Sequence, residues 1–337
     1  MRVLIIGGTG LISVGIIKHL HNRDAEIVCF NRGKSSAKDD TPLGDDVVQV
    51  HGDRNNQAGM LAAFDGQRFD AVIDMIAFNV EQAQGGLNLA KHVGASQLIF
   101  CSTVCTYGVK VPAGVLIDET FPQEPISDYG KNKLAAERAL LDNPGDIAVT
   151  VIRPSHTYGE GGGMIDQFEG DPPTWRRIEQ GMPVPIAGDG LGLWVSTHRD
   201  DVGALFAHAV GNEKTFGQCY NATRDVMLTW NDYYRIAGEV LGKPVHAVHV
   251  PTQLVLKHSP ERFGLLKEIT AFHGAYSSAK AMAGVPEFRP TITLADGMRR
   301  TFDHLRKHDK LKPAEDRVID AILADAESIG LRAEVLE

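Results

Sequence analysis

Short apolar runs alternate with longer amphipathic segments through the first half of the chain. The runs are rich in Val and Ile, as is typical of strands buried on both faces of a parallel sheet. The predicted strands are Val3–Ile6, Glu26–Phe30, Val47–Val50, Ala71–Met75, Gln97–Cys101 and Ala148–Ile152. Segments of helical length separate them: Ser13–Asn22, Asn56–Phe64, Val80–Val93 and Asn132–Leu141. The alternation predicts an α/β fold of the Rossmann type, with a doubly wound parallel sheet.

The pattern changes after about Gly159, where glycines 161–163 and the Pro172-Pro173 pair interrupt it. From Trp230 onward helical segments dominate, and the last of them, Pro313–Leu331, is amphipathic. We therefore predict two domains. A dinucleotide-binding domain covers residues 1–160, with 195–228 returning to it, and a smaller, mostly helical C-terminal substrate lobe covers 161–194 and 229–337.

Composition narrows the class of protein. The 337 residues include 34 Lys and Arg against 43 Asp and Glu, a formal net charge of −9, which argues against a broad nucleic-acid-binding face. Four scattered cysteines indicate neither a disulfide framework nor a zinc set, so we expect no metal. Because no run of roughly 18 apolar residues occurs, we expect no membrane partner and a cytoplasmic location.

A glycine-rich loop follows the first predicted strand and opens a helix. Its residues Gly7, Thr9, Gly10, Leu11 and Ile12 occupy a Gly-x-x-Gly turn in which the backbone can approach a pyrophosphate. The free amides of the following helix would bind that anion. The loop predicts a dinucleotide cofactor, either NAD or NADP.

The end of the second strand bears on the choice between these two cofactors. Asn31 stands where a carboxylate would bind a ribose and repel a 2′-phosphate, and Arg32 and Lys34 supply cations. This favours NADP slightly, although stacking of Arg32 on the adenine would allow either cofactor. After the third strand, Asp53 beside Arg54 is placed to accept a hydrogen bond from the adenine amino group, or to cap a helix.

A tyrosine and a lysine four residues apart form the candidate catalytic group. On a helix, Tyr129 and Lys133 share one face, and a nearby cation brings the pKa of a phenol towards neutrality. Lys133 could also bind the nicotinamide ribose. Thr103 follows the fifth predicted strand, at the sheet edge where ligands collect, and could bind a substrate hydroxyl.

These motifs occur in an order that resembles the extended short-chain dehydrogenase/reductases, especially the NAD(P)-dependent epimerase/dehydratase family. Beyond the glycine loop and Tyr129-Gly130-Lys131-Asn132-Lys133, the resemblance rests on Ser102-Thr103, Tyr107-Gly108, Asp118-Glu119, Ile152-Arg153-Pro154, Tyr158-Gly159, Gly188-Asp189-Gly190 and Asp200-Asp201-Val202. It covers about residues 1–225. It implies that Thr103, Tyr129 and Lys133 act together in hydride transfer, that Pro154 and the backbone near Ala77 and Phe78 lie beside the nicotinamide, and that the enzyme could be a homodimer.

Departures from the family pattern bear on the substrate. Leu193-Trp194-Val195 replaces a segment in which nucleotide-sugar enzymes carry a diphosphate-binding arginine, and His156 replaces an asparagine. Arg176 could compensate, although a surface role is the alternative. Trp194 could stack on a sugar ring or pack in the core, and Phe78 and His156 are further candidates for substrate contact.

Two residues after Thr103 bear on the reaction. Val104-Cys105 stands where the 4,6-dehydratases carry Asp-Glu, which disfavours dehydration. We therefore expect an NAD(P)-dependent epimerase or dehydrogenase/reductase that acts at a secondary alcohol or ketone of a carbohydrate-like substrate. The sequence does not distinguish net epimerisation from net redox. The alternative is an RNA-binding or ribonuclease-like relative with a vestigial site, because the segments around Asn31 and Trp194 resemble the chloroplast stem-loop RNA-binding branch.

Overall fold

A seven-stranded parallel sheet forms the centre of the protein. The computed structural model describes residues 1–33, 43–112 and 114–337. Its strands are β1 (Arg2–Ile6), β2 (Glu26–Asn31), β3 (Val48–His51), β4 (Ala71–Asp74), β5 (Gln97–Cys101), β6 (Ala148–Pro154), β7 (His156–Tyr158), β8 (Val184–Ala187), β9 (Leu193–Trp194), β10 (Ser196–His198), β11 (Cys219–Ala222), β12 (Leu228–Thr229), β13 (His246–Val250) and β14 (Glu334–Val335). The strand order in the central sheet is β11-β6-β5-β4-β1-β2-β3.

Helices cover both faces of this sheet, and others build the C-terminal part. They are α1 (Leu11–His21), α2 (Gln57–Ala62), α3 (Val80–His92), α4 (Asp128–Asp142), α5 (Thr174–Glu179), α6 (Arg199–Ala209), α7 (Trp230–Leu241), α8 (Thr252–His258), α9 (Ala279–Gly284), α10 (Leu294–Lys307) and α11 (Arg317–Ser328). This arrangement confirms the predicted doubly wound α/β fold. None of these helices is long and apolar enough to cross a bilayer.

The strand order reverses between β1 and β4, and this fixes where a ligand can bind. The register aligns Ile6 of β1 with Phe30 on one side and with Asp74 on the other, and Asp74 aligns with Phe100. The carboxyl ends of these strands therefore meet at one edge. In open α/β sheets a crevice forms there, outside the point of reversal.

The two faces of the sheet have separate hydrophobic cores. One core contains α1 and α6, which approach so closely that a Cβ on Gly203 would lie 2.3 Å from the carbonyl carbon of Gly15. The other contains residues of α2, α3 and α4. A third core surrounds Trp175 and Trp230 in the C-terminal part, where β8, β13 and β14 form a small sheet. The predicted division into two domains stays a prediction.

Three elements differ from the sequence-based expectation. The seventh strand, β11, pairs with β6, whereas the sequence predicts only that residues 195–228 return to the dinucleotide-binding domain and predicts no strand there. Helix α4 begins one turn before Asn132, because the side chain of Ser127 caps it by accepting from the backbone N–H of Gly130. Helix α11 is shorter than Pro313–Leu331, because Asp316 caps it and Leu331 lies beyond its end.

Candidate active site

The glycine loop is shaped to hold an anion. Gly7 has φ +91°, and a Cβ there would lie 2.7 Å from Cγ2 of Ile76, so only glycine fits. Ser13 donates its hydroxyl proton to the carbonyl of Gly7 at 2.8 Å and holds the turn. Helix α1 has Gly10 at its N-cap and no side-chain cap, which leaves its first N–H groups open. These features fit the pyrophosphate of a dinucleotide.

A cavity of about 780 Å³ extends from this loop across the carboxyl ends of β1, β5 and β6. Its lining brings together many of the predicted cofactor and catalytic residues: Gly7, Gly10, Leu11, Ile12, Thr103, Tyr129, Lys133 and Pro154. Thr9 lies in the same loop. Ala77 is fully buried in the hydrophobic core, so only its backbone could face the cofactor.

A second cavity of about 650 Å³ lies beyond the ends of β2 and β3 and suits an adenosine. Asn31, Arg32 and Asp53 line it, and the side chain of Arg32 is exposed. Asn31 donates to Gln49 at 2.8 Å, while its buried Oδ1 has no hydrogen-bond partner among the described residues. Such an orphaned acceptor is available to a ligand donor. Lys34 lies outside the described residues.

Arg54 lines the same cavity, but its guanidinium is paired with a carboxylate of the protein. Its guanidinium donates to both oxygens of Asp74, at 2.8 and 3.1 Å, and also to the carbonyl of Gln82. A buried bidentate pair of this kind holds the loop after β3 against β4. Asp53 accepts from the backbone N–H of Asn55, whereas Asn56 is the residue that caps α2. Arg32 is therefore the cation that the described part of this cavity leaves unpaired.

The three catalytic candidates, Thr103, Tyr129 and Lys133, all line the cofactor cavity beside the glycine loop. Thr103 also lines a neighbouring cavity that is described below. Lys133, on α4, is buried and donates from Nζ to the carbonyl of Cys101 at 2.7 Å. Its ammonium lies 5.9 Å from the ring centroid of Tyr129, one turn earlier on the same helix. Oγ1 of Thr103 accepts from the backbone N–H of Cys105 at 3.2 Å, which leaves its own proton for donation.

The surroundings of Tyr129 and Lys133 shift both pKa values. Burial of the hydroxyl end raises the pKa of Tyr129, and the hydrogen bond to Thr103 opposes this with a smaller effect. Burial likewise lowers the pKa of Lys133, partly offset by the negative charges nearby. The pKa of Tyr129 thus moves away from neutrality, opposite to the effect expected from Lys133, because burial outweighs it. The phenol is protonated at neutral pH, which suits it to donate a proton to a developing alkoxide.

A buried ion pair connects helix α4, which carries Tyr129 and Lys133, to the central sheet. Glu137, one turn after Lys133 on α4, forms two hydrogen bonds with Arg153 of β6, at 3.0 and 2.7 Å. It also accepts from the hydroxyl of Ser102, next to Thr103. Sequence reasoning did not single out Glu137. Its spacing of four residues from Lys133 is the signal that could have found it.

A substrate cavity of about 850 Å³ adjoins the cofactor cavity and shares Thr103 and Ser155 with it. His156 and Trp194 line it, and both contact Ser196: Nδ1 of His156 lies 2.8 Å from its Oγ, and Nε1 of Trp194 donates to it at 3.0 Å. Trp194 also stacks on Trp230, with ring centroids 4.9 Å apart. Both expectations for Trp194, a core contact and a ligand wall, therefore describe its position.

Two predicted substrate residues lie elsewhere. Phe78 lines both cofactor cavities rather than the substrate cavity, because it follows β4 beside the point where the strand order reverses. Arg176 pairs with Glu179 at 3.0 Å on α5 and lines none of these three cavities as described. The neighbouring Arg177 is buried and donates to Pro183, Ala314 and Asp320. Neither arginine compensates for the missing diphosphate contact.

Comparison with known proteins agrees with this geometry. Residues 3–222 match the family described as NAD dependent epimerase/dehydratase family. The chain belongs to that family. It is thus an NAD-dependent enzyme of the extended short-chain dehydrogenase/reductase type, as its motifs predicted.

Relatives within and around this epimerase/dehydratase family differ in their named functions. The chain is 27% identical to a 2'-dehydrokanamycin reductase from Streptomyces kanamyceticus, over 75% of this chain and 70% of that protein. It is 23% identical to a chloroplast stem-loop binding protein of 41 kDa from Arabidopsis thaliana, over 90% and 78%. The fold resembles a UDP-glucuronic acid 4-epimerase from Bacillus cereus in complex with NAD, with a TM-score of 0.71 and 20% identity over 94% and 100%.

Proposed function

We propose that this enzyme transfers hydride at a secondary alcohol or ketone of a carbohydrate-like substrate that carries no nucleoside diphosphate. The observation that carries this proposal is the junction of the two cavities at Thr103 and Ser155. A substrate carbon there would lie beside Tyr129 and the cofactor cavity. No residue lining the substrate cavity in the described part of the chain is Lys or Arg, so a diphosphate would find no cation.

The residues at the junction have separate roles. NAD or NADP supplies the hydride acceptor or donor when bound. Tyr129 exchanges a proton with the substrate oxygen through Oη, and Thr103 donates a hydrogen bond to the same oxygen. Lys133 keeps a positive charge near the Tyr129 ring and presents its remaining N–H groups to the cofactor cavity that it lines. A positioned acid of this type contributes about 10²- to 10⁴-fold to the rate.

The test uses Tyr129→Phe, which removes only the hydroxyl. We expect cofactor affinity to stay within about twofold of the wild type, while the single-turnover rate of hydride transfer falls by about 10²-fold or more. Phe216→Tyr, at a half-buried position that lines none of the three described cavities, is the control and should leave the rate of hydride transfer unchanged. Undiminished hydride transfer by Tyr129→Phe would refute the mechanism.

The net reaction depends on where the hydride ends. Reduced cofactor that accumulates in solution indicates a dehydrogenase or reductase, whereas cofactor that cycles without net reduction indicates an epimerase. The 2'-dehydrokanamycin reductase relative supports the redox outcome. Val104 and Cys105, which line the substrate cavity beside Thr103, supply no acid or base for dehydration.

A preference for NADP is a further part of the proposal. Arg32 is exposed at the adenosine cavity, and the only acid that lines the described part of that cavity, Asp53, already accepts from Asn55. We expect Arg32→Ala to raise the Kd for NADP by about tenfold, because it removes one charged hydrogen bond to the 2′-phosphate. The Kd for NAD, which lacks that phosphate, should rise much less. Arg68→Ala, at the opposite edge of the sheet, is the matched control. Equal effects on both cofactors would refute the preference.

The RNA-binding alternative is not supported. The stem-loop binding relative shares 23% identity, while the formal charge of −9 opposes binding of a polyanion and the substrate cavity has no basic residue in its described lining. The homodimer and the cytoplasmic location stay predictions.

A further inference from the structure

One carboxylate in the substrate cavity has no role in the proposed mechanism. Glu268 lies in a π-helical turn, Leu266–Thr270, and lines the cavity together with Cys105 of the turn after Thr103. Its side chain is exposed, and among the described residues it has no hydrogen-bond or ion-pair partner. By contrast, the carboxylates of Glu137 and Asp74 nearby are both paired with arginines.

The other polar side chains of the cavity include two histidines and a thiol. Burial lowers the pKa of His156 to about 4, so its imidazole is uncharged at neutral pH. Nδ1 of His273 accepts from the backbone N–H of Leu193 at 3.1 Å, which places the ring proton on Nε2. Burial raises the pKa of the Cys105 thiol, and the charge of Glu268 adds to this effect. In the described lining, Glu268 is therefore the one acidic residue, and neither Lys nor Arg stands beside it.

The lining of the cavity combines aromatic side chains, which can pack against a sugar ring, with one carboxylate, that of Glu268. Trp194 and Tyr276 present aromatic surfaces, which suit the C–H faces of a saturated ring. A substrate oxygen bound at Thr103 would place the rest of the substrate near Cys105 and Glu268, which line the same cavity.

We propose that the substrate carries a protonated amine, as an amino sugar or aminocyclitol does, and that Glu268 binds this ammonium group. The inference rests on the proposed function, because Thr103 and Tyr129 define the reacting end of the substrate. It goes further by assigning a charged group to the part of the substrate outside the reacting carbon. A carboxylate without a protein partner stabilises a cation and repels an anion, so it selects amines over sugar phosphates.

The experiment measures binding of a matched pair of probes to the complex of the enzyme with oxidised cofactor, by titration calorimetry. Kanamycin carries protonated amines, and fully N-acetylated kanamycin keeps the same skeleton without them. We expect the wild type to bind kanamycin at least tenfold more tightly. In Glu268→Gln the affinities for kanamycin and for its N-acetylated form should differ by no more than about threefold, because the variant loses the charged hydrogen bond to the ammonium group. Glu261→Gln, an exposed change outside the cavity, should keep the wild-type ratio.

The outcomes test the amine site and the proposed hydride transfer separately. A wild-type ratio near one, or a ratio that Glu268→Gln leaves unchanged, overturns the amine site. Tighter binding of UDP-glucose than of kanamycin overturns it as well. Hydride transfer is followed separately with keto sugars: turnover of neutral ketones without any amine preference leaves the proposed function standing and the amine site refuted. Selective amine binding without hydride transfer to any ketone supports the site and refutes the proposed function.

Discussion

His156 should make the stability of the protein depend on pH in a way that can be calculated. The ring lies beside Trp194 and Ser196 with its Nε2 atom buried, and loss of hydration lowers the pKa of His156 to about 4, against a partial opposing effect of the Gly163 backbone. In the unfolded chain a histidine has a pKa of about 6.5. The folded imidazole therefore stays neutral over a range in which the unfolded one binds a proton.

The sign and size of the effect follow from linkage. Because the folded pKa lies below the unfolded one, acid favours the unfolded chain, and stability is lost as the pH falls below about 6.5. A difference of about 2.5 pKa units corresponds to at most about 3.4 kcal/mol. Integrated between about pH 7 and pH 5, it costs about 2 kcal/mol of unfolding free energy.

The assay compares urea unfolding of the wild type and His156→Asn across this pH range. Asn cannot titrate, and any loss of packing against Tyr158 or Trp194 is the same at every pH. We expect the difference in unfolding free energy between the two proteins to shift by about 2 kcal/mol from pH 7 to pH 5, in favour of the variant. His156→Gln should give the same shift. Parallel pH profiles for the wild type and both variants would refute the neutral, buried imidazole and with it the charge assigned to the cavity.

Two further predictions concern the frame that supports the site. Glu137→Gln leaves the buried guanidinium of Arg153 without its charge partner and should cost about 3–5 kcal/mol of unfolding free energy. Glu124→Gln, which breaks an exposed pair with Lys110, should cost under about 1 kcal/mol, and equal costs in chemical denaturation would contradict this. Gly203→Ala inserts a Cβ against the backbone of α1 and should lower stability by about 1–3 kcal/mol. Gly264→Ala, which has open space around its Cβ position, should change stability little in the same thermal unfolding experiment.

Features encoded in neighbouring residues could be predicted from the sequence. The Val- and Ile-rich runs predict six of the seven strands of the central sheet. The Gly7-to-Gly10 loop indicated the cofactor crevice, because positive φ and an uncapped helix N-terminus depend on residues only a few positions apart. The spacing of Tyr129 and Lys133 likewise placed them on one helical face.

Contacts between residues far apart in the sequence could not be predicted in this way. The segment Cys219–Ala222 has no strong apolar alternation and becomes a strand because it pairs with β6. Arg54 has the composition of a cofactor-binding cation, yet its partner Asp74 lies 20 residues further on. Phe78 belongs to the cofactor side for a similar reason, since the position of β4 in the sheet decides which cavity it lines.

The amino-acid sequence by itself determined the fold class and the family, because strand and helix periods and short motifs are local properties of the chain. The catalytic set that it indicates stays a prediction. Only the tertiary structure decided which charges face the substrate. Trp194, His156 and Glu268 come from distant segments, and whether a charge is paired or open depends on the neighbours that folding brings to it. The described lining of the substrate cavity, which contains Glu268 and neither Lys nor Arg, is such a property, and the proposed preference for an amine over a diphosphate rests on it.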